Sequence, residues 1–203
     1  RGGDQAAVKT REAFRFFGGT SKGYEKLDKV RTRVIASSLS EQIKSSSHVL
    51  LMGHKNSDLD SVGAAIGLWS AITKALHKPA HVVVRQEQSL AKALIDNFLH
   101  AGYGNIFMEP GEAVHTVTDK TLLIVVDTHS PSFLESADIY QKCRQIVVID
   151  HHRMMVNHIT NSIVFFHEPY ASSTAEMATE LVQYMGDNVL TRMEAEALLS
   201  GIM

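Results

Sequence analysis

Three stretches of the sequence concentrate imidazole and carboxylate groups: His54-Lys55-Asn56-Ser57-Asp58-Leu59-Asp60, Asp127-Thr128-His129 and Asp150-His151-His152-Arg153. Imidazole plus carboxylate without thiolate suits Mn²⁺, Fe²⁺ or Zn²⁺ bound through N and O. Sites rich in carboxylates commonly hold two ions ~3.5–4 Å apart, which clamp the attacking and leaving oxygens of a phosphoryl displacement and lower the pKa of water towards ~7. The chemistry expected is metal-assisted hydrolysis of a phosphate ester or anhydride. Each cluster taken singly has a plain structural reading. Asp58 could cap a helix beginning near Leu59, and Asp127 could start an Asx turn. Three such clusters, each following an apolar run, are hard to explain as caps.

Those runs are the elements that must position the chemistry. Residues 48–54, 80–84, 121–126 and 145–149 read as buried strands, and 163–166 as a short edge strand. Residues 59–77, 89–100, 173–185 and 192–202 carry helical periodicity, with Leu90, Leu94 and Phe98 as the expected stripe of the second. Alternating strands and helices predict an α/β fold with a mainly parallel sheet sandwiched by helices. In such a sheet ligands bind beyond the carboxyl ends of the strands. The three clusters should therefore converge on one crevice. Ser173-Thr174-Ala175-Glu176 is a capping box, and the helix start it marks is also an anion site, which makes Ser172 and Ser173 candidates for a phosphate contact. His48, His77, His81, His100, His115, His158 and His167 show no partner pattern, and Met154-Met155 reads as core filler.

The chain has 203 residues, is 44% hydrophobic and 21% charged, and carries a net charge of −2. It can bury a core, and its charge balance disfavours non-specific binding of long nucleic acid. One cysteine, Cys143, fits a reducing compartment. No apolar run approaches the ~18 residues of a membrane span. Net charge shifts from +5 over residues 1–47 to −7 over 48–203, which suggests a boundary near Ser45-Ser46-Ser47. Residues 1–20 read as a β-hairpin closing an upstream domain. Residues 21–47 read as a connecting helix with Leu27, Val30, Val34, Ile35, Leu39 and Ile43 as its apolar face. The final Gly201-Ile202-Met203 has no terminal punctuation, and a piece of a longer protein is expected.

The ordered set of clusters resembles the DHH phosphoesterase superfamily from about residue 48 to the end. Residues 52–65 and 168–176 are similar to those of the GdpP-type cyclic di-AMP phosphodiesterases. In that group a degenerate GGDEF-like domain precedes the DHH domain, and residues 1–20 resemble its tail. The resemblance implies a Rossmann-like DHH domain over 48–203, incomplete at its carboxyl end.

It also implies roles. His54 and Asp58 would bind a first ion, Asp60 and His151 a second, and Asp127 would bridge both, with Mn²⁺ as the metal. Asp150 would stand behind the ligands and orient them, and His152 and Arg153 would lie beside the phosphate; His129, two residues after Asp127, could point into the crevice behind the ligands or pair with a loop. The implied reaction is hydrolysis of cyclic di-AMP to pApA by a hydroxide that two ions activate. The parent protein would be anchored in the membrane with this part at its cytoplasmic face, and a homodimer stays open. Family members add a further Asp after a Gly-Ile-Met-type helix end and then a DHH-associated domain. Neither occurs in these 203 residues, so this chain is expected to be inactive or weakly active. The alternatives are a nanoRNase or RecJ-like hydrolase of short oligonucleotides, a DHH-group pyrophosphatase, and a non-catalytic metal- or nucleotide-binding module.

Overall fold

A computed structural model of the chain describes residues 29–203 and, before them, two short strands, β1 (Ala6–Lys9) and β2 (Phe14–Phe17), which pair antiparallel. The rest of the segment read as a GGDEF-like tail, and residues 21–28 of the connecting helix, lie outside the described residues. The helix itself is α1 (Lys29–Ser45), and it packs against the edge of the main fold rather than standing free. Its buried seam is Thr32, Ala36, Leu39 and Ile43. Val30 and Val34, expected in the apolar face, are exposed. The valines lie off the seam where α1 meets its neighbours.

From residue 48 onward the expected strands and helices are present, together with three short elements that the sequence pattern does not show. β3 (His48–Met52), α2 (Leu59–Lys74), β4 (Ala80–Val83), α3 (Lys92–His100), β5 (Phe107–Met108), α4 (Pro110–Thr116), β6 (Thr121–Val126), α5 (Ala137–Lys142), β7 (Gln145–Asp150), β8 (Val164–His167), α6 (Thr174–Val182) and α7 (Arg192–Ile202) follow in order. The six strands β3–β8 form one parallel sheet in the order β5-β4-β3-β6-β7-β8. The order reverses between β3 and β6, which makes that junction the topological switch point.

Both faces of the sheet are covered, and the strands show it as continuous apolar runs with alternating destinations. Val49, Leu51, Leu122, Ile124, Val147 and Ile149 point into a core shared with α1, α2, α3, α6 and α7. Leu50, Met52, Leu123, Val125, Ile146 and Val148 point into a smaller one beneath α4 and α5. Leu90, expected in the stripe of α3, is 77% exposed, and Ile95 is buried instead. The helix starts only at Lys92, so the residues before it do not follow its phase.

Helices α2 and α7 cross at close range. A Cβ at Gly63 would come within 2.4 Å of the Ala197 carbonyl oxygen, so only glycine permits this approach. At the far end of α7, a Cβ at Gly201 would sit 2.9 Å from Asp60 Cα. Helix α7 is thereby seated directly against the first turn of α2, which carries Asp60.

Candidate metal centre

The three clusters meet at the switch point. His54 follows β3, Asp127 follows β6, and Asp150 ends β7, three adjacent strands whose carboxyl ends face the same side. Beyond β3 the chain stays fixed: Lys55 N–H donates to the Phe133 carbonyl at 2.8 Å and Glu135 N–H to the Gly53 carbonyl at 3.0 Å. Asp127 adopts a left-handed backbone (φ 59°), a conformation that costs free energy for a residue with a side chain and clusters at functional sites.

Asp127 is the hub. Its Oδ2 lies 3.4 Å from His54 Nε2, and its Oδ1 lies 3.7 Å from His151 Nε2 and 3.6 Å from His152 Nδ1. Asp58 Oδ1 is 3.7 Å from His54 Nε2, and Asp60 Oδ2 is 3.5 Å from His151 Nε2. Two groups of three have donor atoms within 4.8 Å of one another: His54-Asp58-Asp127 and Asp127-His151-His152. The first matches the set expected for one ion. The second brings His152 beside His151, with Asp60 on the other side of that imidazole.

The histidine tautomers follow from their neighbours. His54 Nδ1–H donates to the Lys55 carbonyl at 2.8 Å, and His151 Nδ1–H donates to the Ala171 carbonyl at 3.3 Å. Each therefore directs Nε2 at the carboxylates, the orientation of a metal-ligating histidine whose other nitrogen is held by a carbonyl. His152 differs. Its Nδ1 and its backbone N–H both donate to Asp150 Oδ1, at 2.8 and 3.1 Å. Asp150 is wholly buried, and its Oδ2 accepts a short hydrogen bond from His129 Nδ1. Asp150 and His129 thus stand behind His152.

Helix starts hold the acidic groups close together. Asp58 caps α2, its Oδ1 accepting from the N–H groups of Asp60 and Ser61 at 3.1 Å each. Asp60 sits on the amino terminus of α6, accepting from Thr174 N–H at 2.9 Å and Ala175 N–H at 2.6 Å. Thr174 Oγ1–H donates to Asp127 Oδ1 at 3.1 Å. The anion held at the start of α6 is therefore the protein's own carboxylate. Ser173 Oγ accepts from Glu176 N–H at 3.0 Å, and the Glu176 carboxylate takes both Ser172 donors. The reciprocal arm of the capping box has slipped back by one residue. The polar groups of Ser172 and Ser173 are used in this cap, and neither residue lines the cavity described next.

Charge follows geometry. The neighbouring carboxylates of Asp127 and Asp58 raise His54 to about 10. The same imidazolium lowers Asp58 to about 2. Burial, then the charge of Asp127, raises Asp60 to about 7. Burial acts to raise Asp150, but bonds from His152 and His129 hold it below the usual carboxylate range. The bond to Asp150 raises His152 in turn. A cavity of 540 Å³ opens over the cluster, lined among others by His54, Asp58, Asp127, His152 and Arg153. Phe133 and Met155 form its apolar wall, and Met154 and Met155 are exposed rather than filling core.

The donor set is nitrogen and oxygen alone, with the Asp127 carboxylate shared between the two groups. It fits borderline divalent cations and suits no sulfur-preferring metal. Sequence reasoning passed over Thr174, which supports Asp127, and His158 and His167, which bond to the main chain beside His152. Thr174 lay inside a motif already marked as a cap.

The chain is 40% identical over 208 residues to the cyclic-di-AMP phosphodiesterase GdpP of Bacillus subtilis (strain 168), matching all of this chain and 31% of that protein. It is 38% identical over 210 residues to the cyclic-di-AMP phosphodiesterase PdeA of Listeria monocytogenes, again over all of this chain and 32% of the relative. The chain thus spans about a third of the length of these relatives. Among solved structures, an exopolyphosphatase-related protein from Bacteroides fragilis superposes with a TM-score of 0.66 at 15% identity, over 84% of this chain and 49% of that one, a likeness of fold. The family model for the amino-terminal domain of the DHH family matches residues 48–202, and the chain belongs to that family.

Proposed function

We propose that the protein to which this chain belongs is a metal-dependent phosphodiesterase that hydrolyses cyclic di-AMP to pApA. The observation that carries the reading is Asp127, one carboxylate facing two imidazole-containing donor groups through its two oxygens. The substrate class rests on relatives named cyclic-di-AMP phosphodiesterases, which match this chain from end to end.

In this reading His54, Asp58 and Asp127 hold one cation. Asp127 and His151, with Asp60 beside them, hold a second, and Mn²⁺ suits the donor set. Divalent cations in such a cradle supply hydroxide at neutral pH and offset charge on phosphoryl oxygens. The residues of the chain do the rest. Asp127 fixes the spacing of the two groups. His54 and His151 present Nε2 because backbone carbonyls hold their Nδ1–H. His152, tied through Nδ1 to Asp150, keeps Nε2 for a substrate or leaving-group oxygen. Arg153, on the cavity wall, offers a planar fork to phosphate. On the resemblance, the parent is anchored in the membrane with this domain at the cytoplasmic face. Among the described residues no helix is long and apolar enough to cross a membrane.

The test is turnover by the full-length parent with Mn²⁺, comparing cyclic di-AMP, pApA and pyrophosphate. Preference for cyclic di-AMP is expected. Preference for pyrophosphate would refute the proposal, and preference for pApA would move it to an oligonucleotide hydrolase.

A further inference from the structure

The segment that carries His151, His152 and Arg153 has no regular secondary structure between β7 and β8. Much of it faces solvent: Met154, Met155 and Val156 are all exposed. An irregular, exposed loop with little apolar burial belongs to the low-stability end of a protein. A hydrolytic site needs its groups held to a fraction of an ångström. Ile159 anchors the far end of the loop in the smaller core, but residues 152–157 are all exposed, so something other than burial must fix the part beside the site.

Three histidines outside the ligand set grip its main chain. His129 Nε2 accepts from Met155 N–H at 2.9 Å. His158 Nδ1–H donates to the Met155 carbonyl at 3.0 Å, and His167 Nε2–H donates to the His152 carbonyl. The carbonyl of His129 also accepts from Ile159 N–H at 2.8 Å. His129 reaches the loop from the turn after β6 and His167 from β8, whereas His158 lies within the loop and closes it on itself. Their rings pack edge-on, His129 lying 5.5 Å from His167 and 6.4 Å from His158, with Phe165 against all three. His129 is buried, and both of its ring nitrogens are used, one on the loop and one on Asp150. One imidazole thus ties the loop's main chain to the carboxylate that orients His152.

We propose that His129, His158 and His167 are positioning residues, a clasp on the main chain of residues 152–155 that holds His152 and Arg153 in place beside Asp127. The functional half of this inference rests on the hydrolytic reading above. The mechanical half rests on the contacts alone.

The test pairs two readouts. Amide hydrogen exchange is measured on this chain, and steady-state hydrolysis of cyclic di-AMP on the full-length parent, for His129→Phe, His129→Gln and His167→Ala. His129→Phe should speed exchange across residues 151–157 by about tenfold or more while the amides of β6 and β7 stay protected. In the parent it should lower kcat by about 10- to 100-fold, the range seen when a group behind a metal ligand is lost, with KM within about twofold. His129→Gln, whose amide still donates and accepts, should recover most of both. His167→Ala, at a partly exposed position, should loosen residues 152–153 even if His129→Phe fails to fold. Unchanged loop exchange in the folded variants would overturn the clasp. Faster exchange with unchanged kcat and KM would overturn its catalytic role. A wild-type parent inactive on cyclic di-AMP would defeat the hydrolytic reading and the catalytic role with it, and exchange would still decide the clasp.

Discussion

Replacing Asp127 by asparagine removes the charge on which both donor groups depend. Asparagine is the right probe because the backbone here is left-handed (φ 59°), which Asn tolerates with little strain and Ala does not. One cation at a hundred times its Kd stabilises the native state by about 2.7 kcal/mol, so two independent ions contribute about 5 kcal/mol. For a chain of this size, ~2–4 °C accompanies each kcal/mol. Mn²⁺ should therefore raise the Tm of the native sequence by roughly 10–20 °C. His54→Ala leaves Asp127, His151 and Asp60 together and should keep about half of that rise. Asp127→Asn should lose nearly all of it, because Asp127 belongs to both groups. The assay is thermal denaturation across a Mn²⁺ titration at fixed ionic strength, with metal content determined by elemental analysis. A full Mn²⁺-dependent rise in Asp127→Asn, or equal metal content in the two variants, would refute the bridging arrangement.

Three further outcomes are expected. With His54 raised to about 10, cation binding near neutral pH must displace its proton, so apparent Mn²⁺ affinity should climb about tenfold per pH unit between pH 7 and 9. Calorimetry in buffers of different ionisation enthalpy would show that proton, and a pH-independent affinity would contradict it. Without metal, Asp60 has its folded pKa raised from 3.8 to about 7, so its protonated form favours the fold below pH 3.8 and that contribution is lost as pH rises through 7. Asp60→Asn should flatten this part of the stability profile in metal-free denaturant melts; an unchanged slope would count against it. Gly63→Ala would press a methyl into the Ala197 carbonyl and should cost about 1–3 kcal/mol, a Tm loss of roughly 2–12 °C, whereas Gly104→Ala, with open space around it, should be near neutral.

The elements that could be read from the sequence were those whose pattern outlasts local noise. Thr121–Val126 is six apolar or β-branched residues in a row, and Arg192–Ile202 opens on a capping box, so both bounds match the structure. β5 has two residues and α4 and α5 have seven and six, too few for a period to show. The exposure of Val30 and Val34 shows a different limit. Periodicity finds an apolar face, but what a helix packs against decides which face is used: the buried seam is Thr32, Ala36, Leu39 and Ile43, and Val30 and Val34 lie off it. At the site, the ligand candidates were legible because they end strands, and strand ends converge by topology. The clasp was not, because its partners are main-chain atoms 15 and 26 residues away in sequence, which no side-chain pattern encodes.

The same topology accounts for how three carboxylates can be crowded together before any cation arrives. Asp58 and Asp60 are held by N–H groups at the starts of α2 and α6, where partial positive charge favours an anion, and Asp127 takes the Thr174 hydroxyl from the same α6 turn. His54, as imidazolium, sits between Asp58 and Asp127. These contacts leave one imbalance, Asp60, which Asp127 and burial keep from ionising until pH approaches 7. A cation near Asp60 and Asp127 would relieve that repulsion, and one near His54 would replace its proton. On the proposed reading, part of the affinity for a cation would come from relieving this crowding of carboxylates, and Gly201, which seats α7 on the first turn of α2, is one of the contacts that keep Asp60 within it.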